Sequence, residues 1–141
     1  MASNRAYLDH LRTVSMFSGC SVKELQRIAK AGTELTVDAG STVIDQGQFG
    51  REAFVVVSGS LTVKRNGKKV ATLGPGAMVG ELALLDHGPR TASVITDTDT
   101  TLFVIDQRSF AAVLDTVPSL AHKILASLAS RIREFDRQYY G

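Results

Sequence analysis

The chain has 141 residues, the length of one domain and enough to bury one real core. Its composition, 44% hydrophobic and 21% charged, is ordinary for a globular protein and excludes a disordered one. The net charge is +2 with no Lys or Arg block longer than two residues, which makes no case for nucleic acid, and no apolar stretch reaches the ~18 residues of a membrane span.

Taken in chain order, residues 1–32 read as helical. Tyr7, Leu11 and Val14 suggest a first helix that ends in a loop through Phe17-Ser18-Gly19. Ser21-Val22-Lys23-Glu24 is a capping box, and Leu25, Ile28 and Ala29 follow at helical spacing before Gly32. Cys20 is alone, so no disulfide framework and no cysteine metal site is expected. The first residues contain no apolar signal-like region, and a cytoplasmic location is the default expectation.

Residues 33–105 read as β. Short strands are predicted at 33–37, 42–44, 53–57, 60–64, 69–73, 91–96 and 101–105. Ten of the twelve glycines lie between Gly32 and Gly88, which implies many tight turns between short strands. Asn66-Gly67 is a strong hairpin signal, because a type I′ turn requires positive φ at both central residues. Lys64, Arg65, Lys68 and Lys69 flank that turn and read as a solvated hairpin tip in preference to a binding patch. The whole is a mainly β arrangement with flanking helices, a jelly roll or related barrel.

Residues 106–141 return to helix. Asp106 caps a short helix carrying Phe110, Val113 and Leu114, and Pro118 sits where a first turn tolerates it. The final helix repeats Ala121, Leu125, Leu128, Ile132, Phe135 and Tyr139 in steps of four and three. This seam has two readings, a helix docked on its own barrel or an inter-chain coiled coil, and the two are compatible.

One segment, 79–93, breaks the β pattern. Glu81 to Asp86 reads as a helical turn or two, fenced by Gly80 and by Gly88-Pro89. A short helix entered through glycine aims free backbone N–H groups at one spot, which suits an anion. Arg90 can offer a planar fork to a phosphate, and Glu81 a carboxylate to sugar hydroxyls. A Glu81–Arg90 ion pair closing a surface loop is the competing reading, and spacing alone leans towards it.

The full wording, GELALLDHGPRTASV, resembles the phosphate-binding cassette of the cyclic-nucleotide-binding family, which includes bacterial catabolite activators, kinase regulatory subunits and gated channels. The match falls on Gly80, Glu81, Leu82, Ala83, Arg90, Thr91 and Ala92. Upstream, the stretch from Gly47 to Gly59 resembles the family's strand signature, with Arg51 where an acid is commoner. The resemblance extends over residues 8–137 and implies a β-roll, a double-stranded β-helix, that binds a cyclic nucleotide. By the same resemblance, Glu81 and the Gly80 N–H take the ribose 2′-OH and Arg90 pairs with the cyclic phosphate. The Ala83 and Thr91 or Ala92 N–H groups donate to the same phosphate. Val70 and Ala71 line the base pocket, and Phe135, Ile132 or a terminal Tyr caps the base. Phe135 and Asp136 stand where catabolite activators place the Thr and Ser that read adenine across a dimer. Thr91 stands where a Thr tends to accompany cGMP, although a small hydroxyl there also goes with cAMP. cAMP is placed ahead of cGMP.

No recognition helix follows the long helix before Gly141, so DNA binding by this chain is not expected; a free-standing sensor and an excised module both fit. A cupin-type enzyme would need clustered histidines, yet His10, His87 and His122 fall in three different regions without H-x-H spacing. Ser93 and Cys20 have no adjacent base. The expectation is therefore a binding domain with no catalytic residue, metal or cofactor. Its partners would be the nucleotide and either a second copy through the C-terminal helix or an effector protein, with no membrane. A ligand-free interaction module is the remaining alternative, and the intact Glu81 and Arg90 speak against it.

Overall fold

The computed structural model describes residues 4–86 and 88–140, and the side chains of residues 4–7, 15, 139 and 140 lie outside that description. Two helices, α1 (Asn4–Thr13) and α2 (Val22–Lys30), open the chain, with a 3-10 turn at Ser15–Phe17 between them. Eight strands follow: β1 (Gly32–Val37), β2 (Thr42–Ile44), β3 (Glu52–Ser58), β4 (Leu61–Arg65), β5 (Lys68–Leu73), β6 (Met78–Val79), β7 (Ser93–Thr96) and β8 (Thr100–Asp106). Helices α3 (Gln107–Thr116) and α4 (Pro118–Tyr140) close it. The strands form two antiparallel four-stranded sheets, ordered β1-β8-β3-β6 and β2-β7-β4-β5, the jelly-roll arrangement the sequence predicts.

Side-chain alternation explains how one sheet serves two cores. In β3, Ala53 and Val55 face the helices, whereas Phe54 and Val56 face the second sheet. In β8, Phe103 and Ile105 join the helical side, and Leu102 the inter-sheet side. A sheet covered on both faces needs unbroken apolar runs at its centre, which is how 53–57 and 102–105 read.

Local signals act where chemistry is local. The Ser21 hydroxyl accepts from the Glu24 N–H and the Glu24 carboxylate accepts from the Ser21 N–H, closing the capping box. Asp106 caps α3 by accepting from the Ser109 N–H. Asn66 and Gly67 take φ of 54° and 79°, as a type I′ turn demands. Pro118 is the first residue of α4, where its missing N–H costs nothing.

Three expectations are corrected, and one strand was not predicted. Val14 lies beyond the end of α1 and is buried through the 3-10 turn instead. Strand β6 is only two residues long, too short for any periodicity to announce. The strand predicted at 91–96 starts at Ser93, because Thr91 and Ala92 still belong to the cassette loop. Helix α4 docks through Leu120, Ile124 and Leu128, of which only Leu128 belongs to the predicted seam. Of that seam, Leu125, Ile132 and Phe135 are exposed, and the Tyr139 side chain lies outside the described residues.

The docked end of α4 is locked by a buried charge. The Glu24 carboxylate accepts from Ser119 Oγ and Lys123 Nζ, both at 2.6 Å. The Lys123 contact, helped by the two serines, holds the Glu24 carboxyl down at about 2. Burial, with Glu24 beside it, pushes the neighbouring Cys20 thiol up to about 11, which keeps it protonated and inert at neutral pH.

Candidate functional site

The cassette begins where β6 leaves the sheet. Gly80 turns the chain with φ +74°, a left-handed conformation, and a 3-10 helix runs from Glu81 to Leu84. Ala83 and Leu84 are buried and pin this turn to the core, leaving Glu81 and Leu82 on the rim. The N–H groups of Glu81, Leu82, Thr91 and Ala92 find no acceptor among the described residues. The Ala83 N–H donates to the Gly80 carbonyl at 3.1 Å. In this structure it is therefore engaged within the turn.

Arg90 is fixed at both ends. Its carbonyl accepts from the Gly47 N–H at 2.9 Å, and its own N–H donates to the Gln48 carbonyl at 2.8 Å. Its guanidinium lies against Gly50 and Gly80, where a Cβ at either position would collide with it. The 47–59 signature and the cassette are thus two halves of one device, the first making room for the arginine of the second. Burial pulls the Arg90 pKa below its ordinary value, with the nearby Glu52 charge opposing. No carboxylate among the described residues is in ion-pair contact with it. The competing Glu81–Arg90 ion pair is not formed. Glu81 instead pairs with Arg131 of α4, Oε1 to a guanidinium nitrogen at 3.3 Å.

Gly80, Glu81, Arg90 and Thr91 line two adjoining hollows. One, of about 280 Å³, lies under the cassette beside Leu82, Ala83 and Pro89. The other, of about 270 Å³, runs back over Ala92 and the wall of β4 and β5, meeting Val63, Arg65, Ala71 and Leu73. Side by side they offer the volume of a small-molecule site. A wider groove of about 620 Å³ between β1 and β2 also ends at Arg90 but meets no other cassette residue.

Of the predicted residues, Gly80, Glu81, Leu82, Ala83, Arg90, Thr91, Ala92 and Ala71 border these hollows. Val70 does not: it is half exposed on the other face of β5, since neighbouring strand residues cannot both face one cavity. Phe135 is exposed and borders neither hollow; α4 reaches the site through Arg131, one turn earlier. His87 lies outside the described residues. Sequence reasoning missed two residues here. Arg65 was legible only as one of a basic hairpin tip, and Arg131 depends on how α4 packs, which no local signal encodes. Among the described residues no His, Cys, Asp and Glu cluster could hold a metal ion.

Known proteins share this arrangement. The family model described as "Cyclic nucleotide-binding domain" matches residues 34–117, more than half of the chain. A Pycsar effector protein of Xanthomonas perforans is 37% identical over 110 residues, 77% of this chain and 36% of that protein. The cyclic AMP receptor protein of Thermus thermophilus is 31% identical over 126 residues, 86% of this chain and 58% of that one. The chain therefore spans well under two thirds of these relatives. Among solved structures, the N-terminal domain of a transcriptional regulator from Streptomyces coelicolor superposes with a TM-score of 0.85 at 27% identity, covering 92% of this chain and 96% of that one. Matching strands, cassette and framing helices leave one conclusion: this chain belongs to the cyclic-nucleotide-binding domain family.

Proposed function

We propose that this chain is a sensory module that binds a 3′,5′-cyclic nucleotide, with cAMP preferred, and works by binding alone, without catalysis or cofactor. The observation that carries the reading is Arg90, a half-buried guanidinium with no carboxylate in contact among the described residues, facing a cavity with Glu81 on the same rim. A desolvated cation of this kind gains most from an anion that brings its own charge into the cavity. The cyclic phosphate would take Arg90 and the free cassette N–H groups, the ribose 2′-OH would take Glu81, and the base would lie on the β4–β5 wall. The cAMP preference is supported by the likeness to the cyclic AMP receptor protein.

The signal would leave through α4. Its exposed Leu125, Ile132 and Phe135 suit a second copy of the chain or an effector. A role as the sensory part of a larger regulator or enzyme fits equally, since the relatives it matches are longer. A cytoplasmic location is part of the same reading, and no helix among the described residues is long and apolar enough to cross a membrane. Calorimetric titration of ligand-stripped protein with cAMP and with cGMP tests the proposal. Saturable heat with cAMP the tighter ligand is expected, and no heat with either at millimolar concentration would refute it.

A further inference from the structure

Lys64 stands opposite Lys69, and Arg65 opposite Lys68, in the β4–β5 register. Like charges facing across a hairpin cost it stability, so this arrangement does not serve the hairpin itself. The groove between β1 and β2, of about 620 Å³, has Leu35, Val43 and the 78% exposed Phe49 among its apolar walls and carries Asp38, Asp45 and Glu52. Among the described residues no ion pair engages these carboxylates, nor Lys64, Lys68 or Lys69. Strands β1, β2 and β5 each lie at the edge of a sheet, so groove and hairpin both present an unpaired strand edge. The Gln46 amide joins the two. It donates to Asn66 Oδ1 at 2.9 Å and accepts from the Asn66 N–H at 2.8 Å, which holds the hairpin tip beside the Asp45 end of the groove.

We infer that this surface is a contact between two copies of the chain, each groove receiving the other copy's β4–β5 hairpin. An acidic half beside a basic half is self-complementary under a two-fold rotation, which lays acid on base twice and closes the pair. The groove sets three carboxylates against one cation, Arg90 at its end, and is net negative, as the hairpin lysines require. Val70, 54% exposed on the same hairpin, offers apolar area to match the exposed Phe49 and Leu35. Lysines on an edge strand ordinarily repel a second strand, and the acidic groove is the surface of this chain that attracts them instead. The contact uses no residue of α4 and is expected in ligand-free protein.

Sedimentation velocity of the ligand-stripped full chain, over a range of protein and salt concentrations, tests this. A monomer–dimer equilibrium is expected, weakening as salt screens the charges. Lys64→Glu/Lys68→Glu places an acid opposite a base at both hairpin pairs, which favours the hairpin while repelling the groove. It is expected to weaken the dimer by about tenfold or more, and Asp38→Lys/Asp45→Lys to do the same. Mixed together, the two variants are expected to associate, because each offers the charge that the other needs. A monomeric parent would overturn the inference and leave the groove to a different basic partner. So would a dimer that neither variant weakens, which would lie on another face such as α4. Assemblies that grow past a dimer, or a mixture that stays apart, would overturn it equally. If a charge variant fails to fold, Phe49→Ser decides, since so exposed a ring holds little of the fold. A weakened dimer then supports the inference and an unchanged one overturns it.

Discussion

Arg131 of α4 holds the Glu81 carboxylate at 3.3 Å, joining the last helix to the rim of the cavity. The contact uses one carboxylate oxygen, and an ionised carboxylate has acceptor capacity left for a sugar hydroxyl. Ligand and helix can therefore share Glu81. The pair is partly exposed and is worth little to stability by itself. Its importance lies in coupling, because a ligand shifts a helix only through contacts that differ between the two states.

The first prediction follows from that coupling. Nucleotide should slow hydrogen exchange along residues 118–140, most of all past Leu128, where the helix loses its core contacts. In Arg131→Gln the slowing should shrink or vanish while binding persists. Equal exchange with and without nucleotide in the parent chain would make α4 static scaffold. An undiminished response in the variant would show that another residue carries the coupling.

Gly50 gives the second. A Cβ there would collide with the Arg90 guanidinium, a flexible end that can move aside without unfolding the chain. Gly50→Ala should keep its thermal midpoint while cAMP affinity falls about tenfold, the scale of one displaced hydrogen bond to a charged group. Unchanged affinity would mean that Arg90 tolerates displacement and that its position is not set by the space Gly50 leaves.

Acid stability supplies the third. The Lys123 contact, with Ser119 and Ser21, lowers the Glu24 carboxyl from 4.5 to about 2 in the folded chain. A depressed folded pKa contributes stability that is fully present above 4.5 and is lost as pH falls towards 2. Glu24→Gln should therefore be less stable than the parent at neutral pH by about 1–3 kcal/mol, the cost of leaving Lys123 and Ser119 without their anion. The difference should close as pH approaches 2. Thermal midpoints of both proteins across that range check this, and a gap independent of pH would show that the ionised carboxylate is not what stabilises.

What was legible in the sequence and what was not divide along range. The Ser21–Glu24 box, the Asp106 cap and the Asn66-Gly67 turn are chemistry between residues at most three apart, and each formed at the predicted place. The cassette wording placed Glu81 and Arg90 on one cavity, because a dozen residues contain its turn, its helix and its arginine. The predicted seam of α4 shares only Leu128 with its docking face, which otherwise uses Leu120 and Ile124. Leu120, Ile124 and Leu128 form one stripe and Leu125, Ile132 and Phe135 another, and only contact with Phe17, Phe110 and their neighbours decides between them. Val70 was misassigned for a simpler reason: alternation along β5 gives the cavity Ala71 and Leu73, not Val70. Arg65 and Arg131 meet the site from 26 and 50 residues away, through turns and packing that no short window contains.

Arg90 is the residue proposed to hold the anion, and a paired titration tests that role most directly. Ligand-stripped parent chain and Arg90→Ala are titrated with cAMP by calorimetry, with circular dichroism confirming that both are folded. The parent should bind, and the variant should bind at least about tenfold more weakly, since it leaves a desolvated phosphate without its counter-charge. Equal affinity in the two proteins, or a variant that loses its fold in the absence of ligand and shows unchanged affinity whenever it is folded, would contradict the account and make Arg90 a structural residue.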